Sequence, residues 1–283
     1  AKTYDNACHA SKYAVSVSEV SFDLSKIIAR KQKVVRKLVL GVKGKLTAGN
    51  VTIVTGEASV IDKNHVLCGD ETYECDNLLL CTGSETFIPP IPGVDTVPYW
   101  THRDALDNKE LPKSLAIIGG GVIGMEFASF FNSLGVEVTV IEMLDEILGG
   151  MDKELSAMLR AEYAKRGIKF MLDTKVVALS EVASGNGDTQ QIQVNYENAE
   201  GAGCVIAKDY DERRPPSRTK GFGLENLNLD KTARGNIQVD GQMQTSVPGV
   251  YACGDLTGFL CWPIPLCARR KWRYMPYWGR KTV

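Results

Sequence analysis

SLAIIGGGVIGMEFASFFNSLGVEVTVIE, residues 114–142, is the stretch whose pattern decides the fold. Leu115 to Ile118 is an apolar run of strand length, Gly119 to Gly121 a turn, and Val122 to Leu134 a helix. Gly135 then ends the helix before a second apolar strand, VEVTVIE. Strand, glycine turn, helix and strand in this order predict an α/β fold, with a parallel sheet covered by helices.

The turn holds Gly119-x-Gly121-x-x-Gly124. The first glycine permits the tight turn, the second lets backbone approach a pyrophosphate, and the third lets helix and strand pack closely. The phosphate would sit where the N–H groups and positive end of the helix converge. Glu142 closes the second strand 18 positions after Gly124, near the expected spacing of about 20. A carboxylate there accepts from both ribose hydroxyls and repels a 2′-phosphate, which favours NAD over NADP.

Working outward, MDKELSAMLRAEYAKRGIKFML (Met151–Leu172) predicts an amphipathic helix ending at Gly167 and running into another strand. Residues 173–206 predict an antiparallel set with a turn at SGNGD, Ser184 to Asp188. On the other side, FIPPIPGVDTVPYW (Phe87–Trp100) is too rich in proline for regular structure and is the candidate linker. Residues 1 to about 35 read as helical with a basic, solvated outer face. From Asn50 the β-branched runs VTIVTGEASVID and NHVLCG, then NLLLCTGS, predict strands. Near the end, TSVPGVYACGD (Thr245–Asp255) reads as turn, apolar strand and Gly254-Asp255, placed where ligands of such sheets bind.

Composition narrows the function classes. The 283 residues carry 33 basic and 34 acidic side chains, without the basic excess that a dedicated nucleic-acid binder uses against phosphates. The same balance argues against a cationic membrane-surface role, and no apolar run reaches the roughly 18 residues of a spanning helix. The opening AKTYDNACHA has no apolar core of a signal peptide. Eight cysteines in a chain of this length include no C-x-x-C or C-x-x-x-x-C, so a reducing cytoplasm is predicted rather than a disulfide scaffold.

Several segments together closely resemble the dihydrolipoamide dehydrogenases, flavin-dependent pyridine nucleotide-disulfide oxidoreductases. They are NLLLCTGS, FIPPIPGV, IIGGGVIGMEFASFFNSLGVEVTVIE, GFGLENLNL and GNIQVDGQMQTSVPGVYACGDLTG, spread from residue 1 to about 258. The resemblance implies a Rossmann-like NAD-binding domain, 96–232, inserted in a partial FAD-binding domain, 1–95 and 233–258. It implies FAD contacts from Gly56, Thr82, Gly83, Ser84, Gly254 and Asp255. Gly119, Gly120, Gly121, Val122, Ile123, Gly124, Met125 and Glu126, with Glu142 and Val176, would line the NAD site. The opening AKTY is similar to the family segment just after its redox disulfide, so Lys2 would lie next to the flavin with Glu126 as its ion-pair partner.

Departures from the family pattern matter as much. The first βαβ unit of the flavin domain, both redox cysteines and the interface domain with its His-Glu pair are absent, and none of His9, His65 or His102 stands in such a motif. Dithiol exchange needs a thiolate and a base, so the expectation is a fragment, inactive alone, with no catalytic or metal-binding residue. Its parent would oxidise protein-bound dihydrolipoamide through FAD and a disulfide to NAD, work as a homodimer and meet the lipoyl domains of 2-oxoacid dehydrogenase complexes. The alternatives are a non-catalytic NAD- or FAD-binding module, or a relative such as an NADH oxidase or a mercuric reductase.

The tail, 259–283, breaks the pattern, with three of the four tryptophans in its last 22 residues. Back-translated and read one base earlier, Cys261 to Leu266 can give L-A-H-T-A and Lys271 to Gly279 can give V-A-V-H-A-V-L-G, which resemble the family's interface domain. Tyr210 to Arg218 read one base later can give M-M-S-V-G-R-R-P-V, which resembles its NAD-site strand and loop. Both stretches therefore read as translated from shifted frames, and the basic-aromatic RRKWRY loses meaning as a nucleic-acid patch. Resequencing the gene is expected to show single-base slips at both points; an unbroken frame with unambiguous coverage would refute the reading.

Overall fold

In the computed structural model the chain divides into two compact units, Ala1–Lys43 with Thr86–Arg214 and Gly44–Glu85 with Pro215–Val283. Residues 1–182, 191–211 and 221–258 are described, and side chains of 206–211 are left aside. The SGNGD turn, most of the Tyr210–Arg218 stretch and the tail lie outside the described residues. This division groups 1–43 and 86–95 with the glycine-turn sheet, whereas the resemblance assigned them to the flavin portion.

The N-terminal helical expectation needs redrawing. Helix α1 is Lys2–Cys8, and the long helix α2 runs Leu24–Ala48, well past residue 35. Asp23 starts α2 by accepting the backbone N–H of Lys26 through its carboxylate at 3.1 Å, so the helix begins at a cap and not at the start of the apolar pattern. Only Ile28 of α2 is buried, and Val34, Val35, Leu38 and Val39 are exposed. Among the described residues no helix is long and apolar enough to cross a membrane.

In the second unit, β1 (Ala58–Val60), β2 (His65–Cys68) and β3 (Glu71–Glu74) form an antiparallel sheet. The expected strand at VTIVT is not formed: Val51, Ile53 and Val54 are exposed, and β-branched residues without a partner strand or a face to bury have nothing to hold them extended. Strand β4 (Leu78–Leu80) belongs to the same unit.

The first unit resumes with helix α3 (His102–Asp107), then β5 (Ser114–Ile118), α4 (Val122–Ser133), β6 (Glu137–Ile141), α5 (Lys153–Lys165) and β7 (Lys169–Met171). Strands β8 (Lys175–Val182), β9 (Gln191–Asn198) and β10 (Gly201–Asp211) follow. One six-stranded sheet results, ordered β7-β6-β5-β10-β9-β8. The four strands from β7 to β10 pair in parallel and β10-β9-β8 antiparallel, so the parallel and antiparallel expectations meet in a single mixed sheet.

Alternation along β5 explains why this sheet is buried on both faces. Leu115 and Ile117 join Met125, Ala128, Phe131, Val138 and Val140 on one side; Ala116 and Ile118 join Ile141, Leu179, Ile192 and Val194 on the other. Asp152 caps α5 by accepting from the N–H groups of Glu154 and Leu155. The proline stretch is irregular apart from one 3-10 turn, Val94–Thr96, but it is no free linker. Ile91, Val94 and Val97 are buried in the second face, and Pro92 accepts the N–H of Leu179 at 2.8 Å.

The second unit closes with β11 (Val250–Ala252), parallel to β4 with Val250 opposite Leu78 and Ala252 opposite Leu80. Its core gathers Val60, Leu80, Leu224, Leu227, Ile237, Val250 and Leu256.

Gly124 is the tight point between α4 and β5. A Cβ built there stands 2.4 Å from the Gly119 carbonyl oxygen, and neither backbone can yield without separating α4 from β5. Gly124→Ala is therefore expected to lower stability by about 1–3 kcal/mol, read as a reduced urea midpoint; an unchanged midpoint would refute this packing.

Candidate functional site

The glycine turn lies beyond the C-terminal end of β5, where Gly119 has φ +113° and its N–H donates to the Ile141 carbonyl at 2.8 Å. Gly121 is the N-cap of α4, and no side chain makes a cap hydrogen bond to the first turn of that helix. Gly120 and Gly124 are buried, Gly121, Val122 and Ile123 half-buried, Met125 buried and Glu126 exposed. A helix start of this kind, its donors converging, suits an anion.

Glu142 stands where the spacing predicted, directly after β6. Its Oε2 accepts the Gly120 N–H at 2.6 Å and its Oε1 accepts the Leu144 N–H at 2.9 Å. Its backbone is fixed as well, donating to the Met171 carbonyl at 2.8 Å and accepting from Thr174 at 3.0 Å. The carboxylate thus faces the glycine turn.

The loop after Glu142 folds back over the turn, a feature with no simple sequence signal. Leu148 donates its N–H to the Gly120 carbonyl at 2.7 Å, and fully buried Ile147 packs on Gly120, where an added Cβ would stand 3.0 Å from its Cγ2. Buried Glu146 anchors the loop to α5 through a two-pronged contact with Arg160, Nε to Oε1 at 2.8 Å and a terminal nitrogen to Oε2 at 2.9 Å. A charge-assisted fork of this type fixes geometry as well as energy.

A second constellation sits at the ends of β4 and β11. Ser84 donates through Oγ to Asp255 Oδ2 at 3.2 Å, joining two residues that the resemblance assigned to one ligand. Gly83 and Gly254 have φ of +71° and +72°, which let the chain turn sharply at both strand ends. Thr82 is half-buried beside them. Sequence reasoning missed that Cys81 and Cys253 also meet here, with Sγ atoms 3.2 Å apart. They are separated by 172 positions, and only the pairing of NLLLC with VYAC as neighbouring parallel strands could have brought them together.

The remaining assigned residues are scattered. Val176 is buried in the core beside Ile118 and Ile141. Gly56 is exposed, and a Cβ there would stand 2.7 Å from Cys68 Sγ. Lys2 and Glu126 are both exposed, on α1 and α4, and no ion pair joins them among the described residues.

With this geometry in view, comparison with known proteins is specific. The family described as pyridine nucleotide-disulphide oxidoreductase matches residues 2–275, and the chain belongs to it. It is 36% identical over 263 residues to the dihydrolipoyl dehydrogenase of Acholeplasma laidlawii, covering 91% of this chain and 75% of that one. The Haemophilus influenzae dihydrolipoyl dehydrogenase is 36% identical over 270 residues, covering 91% of this chain and 54% of its own length. Human mitochondrial dihydrolipoyl dehydrogenase is 33% identical over 266 residues, with 89% and 51% covered. The chain thus spans about half the length of most of these relatives. Among solved structures, the HOCl-induced flavoprotein disulfide reductase RclA of Escherichia coli superposes with a TM-score of 0.74 at 26% identity, covering 91% of this chain and 56% of that one. Proteins of this family work with FAD and NAD(H).

Arg160 holds the Glu146 carboxyl below the ordinary glutamate value, against the opposing effect of burial. A carboxyl lowered in the folded state adds stability that is fully present above its unfolded value and is lost as pH falls through the folded one. Glu146→Gln is expected to reduce stability at pH 7 by about 1–3 kcal/mol and to flatten the fall in urea midpoint between about pH 5 and pH 3. An unaltered acid dependence would contradict the role given to this pair.

Proposed function

We propose that this chain binds NAD(H) at the glycine turn and is part of an NAD-dependent dihydrolipoyl dehydrogenase. The observation that carries the reading is the Glu142 carboxylate held 2.6 Å from the Gly120 nitrogen, beside a helix start with no side-chain cap. In this assignment the free first-turn N–H groups of Val122, Ile123 and Gly124 face the pyrophosphate, with Met125, whose N–H is bonded to the Gly121 carbonyl, and Glu126 in the turn behind them; Gly120 and Gly121 allow its approach, and Glu142 accepts from the ribose hydroxyls. The 143–150 loop orients Glu142 through Leu144 and shields the turn through Ile147. Val176 supports the site from the core behind Ile141.

The residues fit FAD in part. Thr82, Gly83, Ser84, Gly254 and Asp255 offer hydroxyl and carboxylate groups at two strand ends, and we assign them with Gly56 and Lys2 to the flavin. The sequence holds one G-x-G-x-x-G, so the flavin pyrophosphate has no second cradle of that kind in these residues. By ligand, the division is 96–232 for NAD and 1–95 with 233–258 for FAD; the proline stretch packs with the NAD unit because its apolar residues cover the sheet.

When bound, the two cofactors supply two-electron transfer between nicotinamide and flavin. The protein's part is to hold both in place and exclude water. Without a C-x-x-x-x-C in these 283 residues, we do not expect this chain alone to oxidise a dihydrolipoyl group. The partners of the whole enzyme in this reading are the lipoyl domains of cytoplasmic 2-oxoacid dehydrogenase complexes and a second copy of itself.

Glu142→Arg tests the assignment. It is expected to weaken NADH binding about tenfold, the worth of one or two lost charged hydrogen bonds, and to improve NADPH, measured by fluorescence titration of the purified chain. An unchanged ratio of the two affinities would overturn the role of Glu142.

A further inference from the structure

We propose that Cys81 and Cys253 form a peroxide-sensitive thiol pair, which closes to a disulfide tying β4 to β11 at the ends that carry Ser84 and Asp255. Strand register brings the two cysteines together. Leu80 lies opposite Ala252 in a parallel pair, and the next residue on each strand is a cysteine. The Cys253 N–H donates to the Leu80 carbonyl at 3.1 Å, so the pairing persists to the cysteines themselves. Neighbouring strands run about 4.8 Å apart, inside the roughly 4.4–6.8 Å between Cα atoms that a disulfide spans. The sulfurs are already 3.2 Å apart, so closure needs small side-chain rotations and no movement of the backbone. Among the described residues no other two cysteines are hydrogen-bonded to each other.

The two thiols are chemically unequal, as a redox pair requires. A hydrogen bond from Cys81 holds the Cys253 thiol down to about 7, against its partial burial. The same contact, with desolvation and the neighbouring charge, pushes Cys81 up. Cys253 is therefore the thiolate, and hence the nucleophile, near neutral pH, while Cys81 keeps its proton. Cys81 is exposed and Cys253 half-buried, so a small oxidant reaches the pair.

The chemistry balances with hydrogen peroxide as oxidant. The Cys253 thiolate attacks one peroxide oxygen, the O–O bond breaks, and the departing hydroxide takes a proton to leave as water, with a sulfenic acid on Cys253. Cys81 sulfur then attacks Cys253 sulfur and the S–O bond breaks. The hydroxyl leaves with the Cys81 proton as a second water. Two electrons have passed from two thiols to one peroxide, and a dithiol reductant restores the pair by two exchange steps. No cofactor takes part, so this site and the dinucleotide reading stand or fall separately.

The consequence is mechanical. Cys81 directly precedes Thr82-Gly83-Ser84 and Cys253 directly precedes Gly254-Asp255, so the bond fixes the separation of two turns otherwise joined by the Ser84–Asp255 hydrogen bond. A two-stranded parallel sheet has few ladder bonds to resist opening, which makes a covalent tie at its end effective.

The test uses the full chain, reduced, exposed to a few equivalents of hydrogen peroxide at pH 7.5, then blocked with N-ethylmaleimide and digested without reductant. Mass spectrometry is expected to find the Cys81 and Cys253 peptides linked, and separate after dithiothreitol. In Cys81→Ala, dimedone should trap Cys253 as sulfenic acid, and the alkylation rate of Cys253 at pH 7 should fall about tenfold as its thiolate fraction returns toward that of an ordinary thiol. Both thiols alkylated after peroxide, a link between other cysteines, or Cys253 overoxidised without any link to Cys81 would each overturn the proposal. Mapping on the unsubstituted chain needs no variant, so poor folding of Cys81→Ala does not decide the outcome.

Discussion

The close approach of α4 to the end of β5 across Gly124 governs the first unit. With 2.4 Å between an added Cβ and the Gly119 oxygen, only glycine lets the helix start directly over the strand. That contact aims the helix N-terminus, and its positive end, at the space beyond the sheet. It also places Gly120 within reach of Glu142, the residue directly after the adjacent strand β6. A single missing side chain thus sets helix packing, anion-directed donors and carboxylate position together, and a change at one must disturb the other two.

The loop from residue 143 to 150 shows how such a turn is kept in shape. Glycines are selected for lack of bulk, which leaves their backbone free to wander, so rigidity has to come from elsewhere. Here it comes from Ile147 packed on Gly120, from the Leu148 N–H bonded to the Gly120 carbonyl, and from the Glu146–Arg160 fork that pins the loop to α5. The fork is largely shielded from water, with the Glu146 side chain at 10% exposure, so it behaves less like a surface ion pair and more like a structural bond.

What could be read in the residues was whatever is local. The strand-turn-helix-strand from Ser114 to Glu142, the α5 helix with its Gly167 stop and the antiparallel β8-β9-β10 set all close within a few tens of residues, where period and turn chemistry act. The failures share one cause. VTIVT has strand propensity and no partner; α2 runs on to Ala48 through Gly41 and Gly44, which local propensity would mark as a stop; the proline stretch looked like a linker because its burial depends on β8, far along the chain. The Glu146–Arg160 fork and the Cys81–Cys253 contact were equally invisible, since neither pair has a spacing that marks it.

The two strand-end constellations differ in the way they use the same architecture. At β5 and β6 the groups beyond the strand ends are backbone donors and one carboxylate, held by a sheet of six strands and a core on each face. At β4 and β11 the facing groups are side chains, and the sheet is two strands held mainly by the Leu224, Leu227, Ile237 and Leu256 cluster. Local opening is easier where few ladder bonds and one apolar face resist it. Position matters most in such a place for groups whose chemistry depends on a distance of a few tenths of an ångström. The Ser84–Asp255 bond and the thiol contact are both of this kind, and both lie one to four residues from the last paired position of the ladder. Whatever holds β4 against β11 therefore sets the hydroxyl, carboxylate and thiol geometry at once.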